Sequence, residues 1–340
     1  MLLILKKLKK GFKFFSVIAR LDRAIHGKEL DYPVKPDNDN HRTEFSMNNQ
    51  KGIALVVTLL ALVLITAMVV EFSYAVYTGT TSLYNWRDSQ RLSIMAKSGV
   101  NVSARLISDW LNTQKYTPGF IEMPVDNPFE DFKGTITVRI EDENARFNIN
   151  TIINPRREED TYGCESFKRL LSALSLDEKI ADRVLDWIDK DSIAKLPDSE
   201  VGAKNAPLVS VDELLLINGI TRKDYDTLLP YITVYGDGTI NINGAEKPVL
   251  RSLSDSISDG LAQKVIDYRK VTPFTEKKED LQNVNGFTSS IYNPIQTKIT
   301  IEGNSFTIRS VAESGGVKRI IETVVAISQA TTNIQYWKEY

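Results

Sequence analysis

Residues 51–70 read Lys51-Gly52-Ile53-Ala54-Leu55-Val56-Val57-Thr58-Leu59-Leu60-Ala61-Leu62-Val63-Leu64-Ile65-Thr66-Ala67-Met68-Val69-Val70. From Ile53 to Val70 no side chain is charged, and Thr58 and Thr66 carry the only hydroxyls. A helix of about 20 such residues, rising about 1.5 Å each, matches a hydrocarbon core of about 30 Å. The stretch therefore predicts a membrane helix, with a span over 53–72. Lys51 and the basic residues before it favour the cytoplasmic side for the N-terminal end. Beyond Glu71, Leu92, Met95, Gly99, Val102, Leu106 and Trp110 recur at three- and four-residue steps, which places them on one helical stripe. The first proline after the span is Pro118, followed by Gly119, so one long helix is expected over 53–117.

The rest of the chain bounds the possibilities. At 340 residues and 42% apolar composition, two domains are favoured over one. With 42 basic against 44 acidic residues there is no global charge to attract nucleic acid. The single cysteine, Cys164, excludes an intrachain disulfide and reads as a packing residue. Leu2 to Phe15 is basic and amphipathic, a pattern suited to a membrane surface. Residues 31–42 read as a polar, unstructured stretch.

Strand signals flank a helical block. Thr135 to Ile140 alternates apolar and polar side chains, and Phe147 and Ile149 resume the alternation after Glu141-Asp142-Glu143-Asn144, which predicts a hairpin with its acids in water. Ile299 and Ile301, then Phe306, Ile308 and Val311, then Ile320 to Ile327 form the second strand group, with Gly315-Gly316 as a tight turn. Between the groups, helix-period segments run over 165–172, 177–188, 211–217, 223–231, 245–253, 259–269 and 277–284. Ser210 and Thr275 stand as helix caps. The expected organisation is a leader over 1–52, the long helix over 53–117, an α/β head from 118–154 and 293–340, and an inserted helical domain over 155–292. The fold class is α+β: a long helix packed on a small antiparallel sheet, with the helical insertion.

Few motifs carry chemistry. Asp186, Asp189, Asp191, Asp198 and Glu200 gather hard oxygen ligands of the type that suits Ca²⁺, although their spacing is not that of an EF-hand. No G-x-S-x-G elbow, H-E-x-x-H pair or P-loop occurs, so no enzyme is indicated. Leu214 to Ile220 and Leu281 to Phe287 repeat one helix-hairpin-helix-like pattern 67 positions apart. In DNA-binding versions such hairpins hold phosphate. Here Leu253 to Ser258 lacks the glycine turn, and the nearby lysines and arginines are offset by acids.

Several segments resemble one known family. The Lys51-Gly52 junction directly before an apolar helix resembles the class III signal of type IV pilins and type II secretion pseudopilins. Leu185-Asp186-Trp187-Ile188-Asp189-Lys190-Asp191, Val211 to Ile220, Val234 to Asn243 and the tail Gln335 to Tyr340 are similar to segments of the GspK-type minor pseudopilins. That resemblance implies cleavage by prepilin peptidase between Gly52 and Ile53, with Ile53 open to N-methylation, and a translation start at Met47 that would give a leader of ordinary length. Most pilins carry glutamate as the fifth mature residue, where this chain has Val57; the GspK type lacks it and caps the filament tip. The resemblance also implies an inner-membrane, single-pass protein with a periplasmic C-terminal domain. Its partners would be the I-, J- and H-type minor pseudopilins, the major pseudopilin and the inner-membrane secretion platform. It raises calcium at Asp189, Asp191, Asp198 and Glu200, in a loop where this chain departs from the family pattern. The alternative is a membrane-anchored DNA-uptake protein of pilin kind or one similar to the competence receptor ComEA.

Overall fold

The structure, a computed structural model, describes residues 47–328 and 331–340; the expected leader residues 1–46 lie outside the described residues. Two compact units divide at Tyr77 and Thr78. Helix α1 spans Met47–Thr113. Its part in the first unit includes the uncharged run, whose side chains from Ile53 to Val70 are all exposed. Thr58 and Thr66 donate their hydroxyls to the carbonyls of Leu55 and Leu62, which removes the only side-chain polarity in the run. Among the described residues this is the one helix long and apolar enough to cross a membrane.

In the second unit, Thr78–Tyr340, the rest of α1 packs on a five-stranded antiparallel sheet. The strands are β1 (Phe120–Val125), β2 (Thr135–Asp142), β7 (Ser305–Ser314), β8 (Val317–Ser328) and β9 (Thr331–Glu339), in the order β1-β2-β7-β8-β9. Ile136, Val138 and Ile140 of β2 and Phe306, Ile308 and Ala312 of β7 face the helix in one core. The expected Val311 lies between these positions, on the other side of the alternation. Gly315 and Gly316 adopt φ of 57° and 82° and turn β7 into β8, as a two-residue hairpin of opposite hand requires.

The stripe on α1 differs from the expected one. Leu92, Met95 and Gly99 are buried, but the contact continues through Val100, Ser103 and Ile107, while Val102 is exposed. Gly99 and Ser103, with little hydropathy to betray them, lie in the middle of that contact. A Cβ at Gly99 would stand 3.0 Å from both Ile136 and Val138 and would overlap the Ser310 hydroxyl. Glycine therefore sets how near the helix comes to the sheet.

The expected hairpin after β2 is not formed. Strand β2 runs on through Glu141 and Asp142 because these pair with Thr307 and Phe306 of β7, and its neighbour on the other side is β1, whose weak alternation around Pro124 escaped the sequence reading. Phe147–Asn148 (β3) instead pairs in parallel with Ile232–Thr233 (β4), and Ile240–Asn241 (β5) with Ile299–Thr300 (β6).

These two short pairs bracket the helical block: α2 (Thr161–Ala173), α3 (Lys179–Ile188), α4 (Arg222–Leu228), α5 (Lys247–Ser252), α6 (Asp259–Val271) and α7 (Ser289–Ile295). Its core takes in Phe147, Ile149 and Ile152 at one end and Ile299 and Ile301 at the other, wider than the expected 155–292, because the parallel pairs carry those flanks inside. Two expected helices, Val211–Leu216 and Lys278–Asn283, are 3-10 turns. Ser210 caps the first in a capping box with Glu213, whereas Thr275 caps nothing and Lys277 holds the cap position without a side-chain bond.

The helix-sheet contact yields a prediction. Gly99→Val should destabilise the head by about 1–3 kcal/mol through overpacking, read as a lower urea midpoint. Ser310→Ala removes the overlapping hydroxyl, which is itself buried without a partner, and should recover part of the loss when combined with Gly99→Val.

Candidate functional site

The helical block is built twice. Asn148 accepts from the Asn150 amide at 3.0 Å, and Asn241 from the Asn243 amide at 2.9 Å. Asn150 exchanges two bonds with the backbone of Leu208, 2.9 and 2.8 Å, and Asn243 does the same with Phe274, 2.9 and 3.0 Å. Further on, Gly219 and Gly286 both take positive φ, 87° and 96°, between a 3-10 turn and a helix that Thr221 caps in the first copy and at whose cap position Thr288 stands, without a side-chain bond, in the second. The hydroxyl of Tyr225 donates to Asp212, and that of Tyr292 donates to Glu279 at 2.8 Å. Phe147-Asn148-Ile149-Asn150 set against Ile240-Asn241-Ile242-Asn243 is the sequence signal for the first half of this duplication. In the first hairpin, Arg183 donates to the Asn218 carbonyl at 2.9 Å and lies against Gly219, so its guanidinium is engaged within the chain.

The copies differ in one place. Between Ile188 and Ser210 the first carries a long loop where the second has only Thr272 to Glu276 before Lys277. Asp189, Asp191 and Glu200 come together in that loop, each offering a carboxylate oxygen within 4.8 Å of the others. Asp186 lies behind them, fully buried; its Oδ2 accepts from the Lys195 amide at 2.8 Å and from the Ser199 hydroxyl. Asp198, the remaining expected ligand, is exposed at a turn with φ of 63° and stands outside the group.

Electrostatics in the loop are unbalanced. The Asp189 carboxyl is pushed up to about 6, first by burial and then by Asp191, Glu200 and Asp186; that of Glu200 is raised by burial and by Asp186 and Asp191. Asp186 Oδ1, Asp189 Oδ1, Glu200 Oε1, Asn205 Oδ1 and Trp187 Nε1 are buried without hydrogen-bond partners. Orphaned oxygens concentrated in one loop are what an oxygen-seeking cation would satisfy. The surroundings are tied down: Lys190 and Lys195 pair with Glu158 and Glu159, and Arg157 donates to the Asn205 carbonyl at 3.0 Å. Asp189, Asp191 and Glu200 could hold a divalent cation. Gly52 and Ile53, the expected cleavage pair, sit within α1, and Ile53 is exposed.

A second polar group, expected in water, is buried. Asp142, Glu143 and Asn144 are each 2% exposed. Asp142 Oδ2 accepts from the Thr117 hydroxyl at 2.7 Å and from the Asn241 side chain at 2.6 Å, and its Oδ1 accepts from the Asn144 amide at 2.8 Å. Glu143 accepts from the hydroxyls of Thr233 and Thr307 and from Arg146. Asn144 donates to Asp237 at 2.9 Å. This seam joins the sheet to both copies of the duplicated block. Cys164 is buried, and burial pushes its thiol up to about 12.

Comparison with known proteins gives consistent matches. Two family models, both described as type II secretion system (T2SS), protein K, match residues 145–237 and 240–302, close to the limits of the two copies. Type II secretion system protein K of Pseudomonas aeruginosa is 26% identical over 281 residues, covering 72% of this chain and 80% of that protein. The Aeromonas hydrophila protein of the same description is 24% identical over 229 residues, 58% of this chain and 67% of its own. A chain in the crystal structure of the GspK-GspI-GspJ complex from the enterotoxigenic Escherichia coli type 2 secretion system has the same fold, with a TM-score of 0.59 at 17% identity, over 75% of this chain and 98% of that one.

The seam is open to test. Burial raises the Asp142 carboxyl to about 6, above its ordinary value, so its ionisation opposes folding as pH rises through that range. Wild type should gain stability on acidification from about pH 7 to 5, and Asp142→Ala should lose that part of the gain. The same variant strands the donors of Thr117, Asn241 and Asn144, which costs about 3 kcal/mol in chemical denaturation.

Proposed function

We propose that this chain is a minor pseudopilin of the type II secretion system protein K family, and that it caps the tip of a periplasmic pseudopilus after prepilin peptidase cuts between Gly52 and Ile53. The observation that carries the tip position is the uninterrupted apolar run of α1, in which Val57 stands fifth after the cut and no acid occurs before Glu71. A carboxylate buried among apolar helices needs a partner charge. A subunit with none above it has no use for that carboxylate. Lys51 on the leader side favours a cytoplasmic N-terminus, an inner-membrane span and a periplasmic head. The role is structural.

Other minor pseudopilins of the I, J and H types are the proposed neighbours, with the major pseudopilin below and the secretion platform at the membrane. Within the second unit, Leu83, Trp86 and Ile94 of α1 are 66%, 65% and 50% exposed. Their spacing sets Leu83 and Ile94 on the face of α1 away from the sheet contact made by Leu92, Met95 and Gly99, with Trp86 on the flank beside them. Apolar groups so placed suit the helix of a neighbouring subunit.

We also propose that Asp189, Asp191 and Glu200 hold Ca²⁺, with Asp186 behind them. Bound there, the cation would supply the charge that these carboxylates lack, joining the end of α3 to the loop that follows.

Two measurements check these readings. Mass spectrometry of membrane-extracted protein should find Ile53 as the first residue, and Val57→Glu should give no gain in secretion or in cross-linking along the shaft; improved incorporation throughout the shaft would contradict the tip position. After chelation, added Ca²⁺ should raise the melting temperature of wild type, by about 2.7 kcal/mol of stability at a hundredfold excess over Kd, and leave Asp191→Ala unmoved. An equal shift in both proteins would remove the proposed ligands.

A further inference from the structure

Strand β9 ends the sheet with its outer edge open. Among the described residues it pairs with β8 alone. Tyr340 and Ile320 exchange both backbone bonds, 2.8 and 3.3 Å. In an antiparallel ladder such pairs alternate with pairs that point their N–H and C=O groups away, so Glu339 and Trp337 present theirs outward. Natural edges are blunted by proline, brevity, bulges or inward charge. The opposite edge, β1, carries Pro124 in its six residues, whereas β9 runs for nine residues without proline or glycine; its ladder is irregular at Gln335 and Glu339 turns its charge toward α1, but Tyr336 to Tyr340 pairs with β8 without a break. Ile334 and Trp337 on it are 55% and 40% exposed.

We propose that the open edge of β9 takes an extended strand from the head of an adjoining minor pseudopilin, main chain to main chain. The choice of occupant comes from where the edge lies. Ser93 donates to Glu339 of β9 at 2.6 Å, Lys97 pairs with the same carboxylate at 3.5 Å, and Ser89 receives Arg319 of β8. Ser89, Ser93 and Lys97 follow Trp86 at steps of three and four residues, so exposed Trp86 stands on the same helical stripe one turn before the edge. A neighbour whose helix covers Trp86 is thereby brought alongside β9. On the sheet face opposite α1, Tyr336, Lys338 and Tyr340 line the β9 end of a groove of about 460 Å³ that reaches Ser210 and Tyr225 of the helical block, and alternate side chains of a strand added beside β9 would stand on that face. The inference rests on the pseudopilin reading for the identity of the neighbour.

The test uses the full chain in membranes with its co-expressed minor pseudopilins. Cys164 is buried with a raised pKa, so a single introduced cysteine is the reactive one. Gln335→Cys should cross-link to a neighbour's strand, and Glu122→Cys on β1 should not. Adding Trp337→Pro, which deletes an outward N–H, should lower the Gln335 cross-link by about tenfold. Wild-type melting in that variant shows that the fold is kept; if it melts early, Trp337→Lys, a charge on the same edge, takes its place with the same expected loss. A Gln335 link that neither variant weakens, a link only to a second copy of this chain, or no link at all would overturn the proposal. If Trp86→Cys cross-links while Gln335→Cys does not, the pseudopilin reading stands and strand addition falls. Failure of both would remove the reading along with it.

Discussion

A buried carboxylate holds the head of this protein together. Asp142 sits where the end of β2, the chain entering β1 and the strand opening the second copy of the helical block converge, and it accepts from all three. Gly303 donates its amide to the Thr117 hydroxyl at 2.8 Å, and a Cβ there would overlap the Asp142 carboxylate. Without those donors a charge at 2% exposure would be costly to bury. With them, the sheet can have a domain of roughly half the chain inserted between β2 and β7 and still keep those strands in register. Glu143 and Asn144 extend the same seam to Thr233 and Asp237, which explains why the loop around Tyr235 to Thr239 is ordered by side chains that are not its own.

Duplication explains the block itself. Each copy closes a hairpin with a glycine at positive φ and ties its first strand to a distant segment through one asparagine. Such units bury their own apolar faces, so an insertion at a surface turn is tolerated in either. It occurs in the first, after Ile188, and there the chain gathers carboxylates whose burial and mutual repulsion disfavour their ionised forms. Left-handed backbone at Arg157, Asp198 and Asn205 lies in or beside the same loop. Strain and unmet polarity together mark the loop as shaped by something other than its own stability.

Legibility followed the size of the signal. Eighteen uncharged residues cannot be mistaken, and the α+β class followed from helix and strand periods that are strongly apolar. What failed was carried by small or polar residues. Gly99 and Ser103 set the helix-sheet contact without hydropathy, so the expected stripe drifted to Val102. Acids between strands ordinarily face water, and only the donors brought from Thr117, Asn241 and Thr233, far along the chain, make Asp142 and Glu143 interior residues. Asp198 looked equivalent to Asp191 in sequence, but at a turn with φ of 63° it sits apart from the carboxylates it was grouped with.

The two units answer different physical demands. The first exposes eighteen uncharged residues on every side, an arrangement stable only where lipid or other apolar helices replace water. The second pairs Lys190 with Glu158 and Lys195 with Glu159 at its surface and stitches Arg146 and Glu143 into the seam. A chain of this kind gains most from an assembly that supplies apolar helices to one end and leaves the other in water. A carboxylate within the apolar run would help only if a neighbouring chain supplied the matching charge, and the run carries none before Glu71.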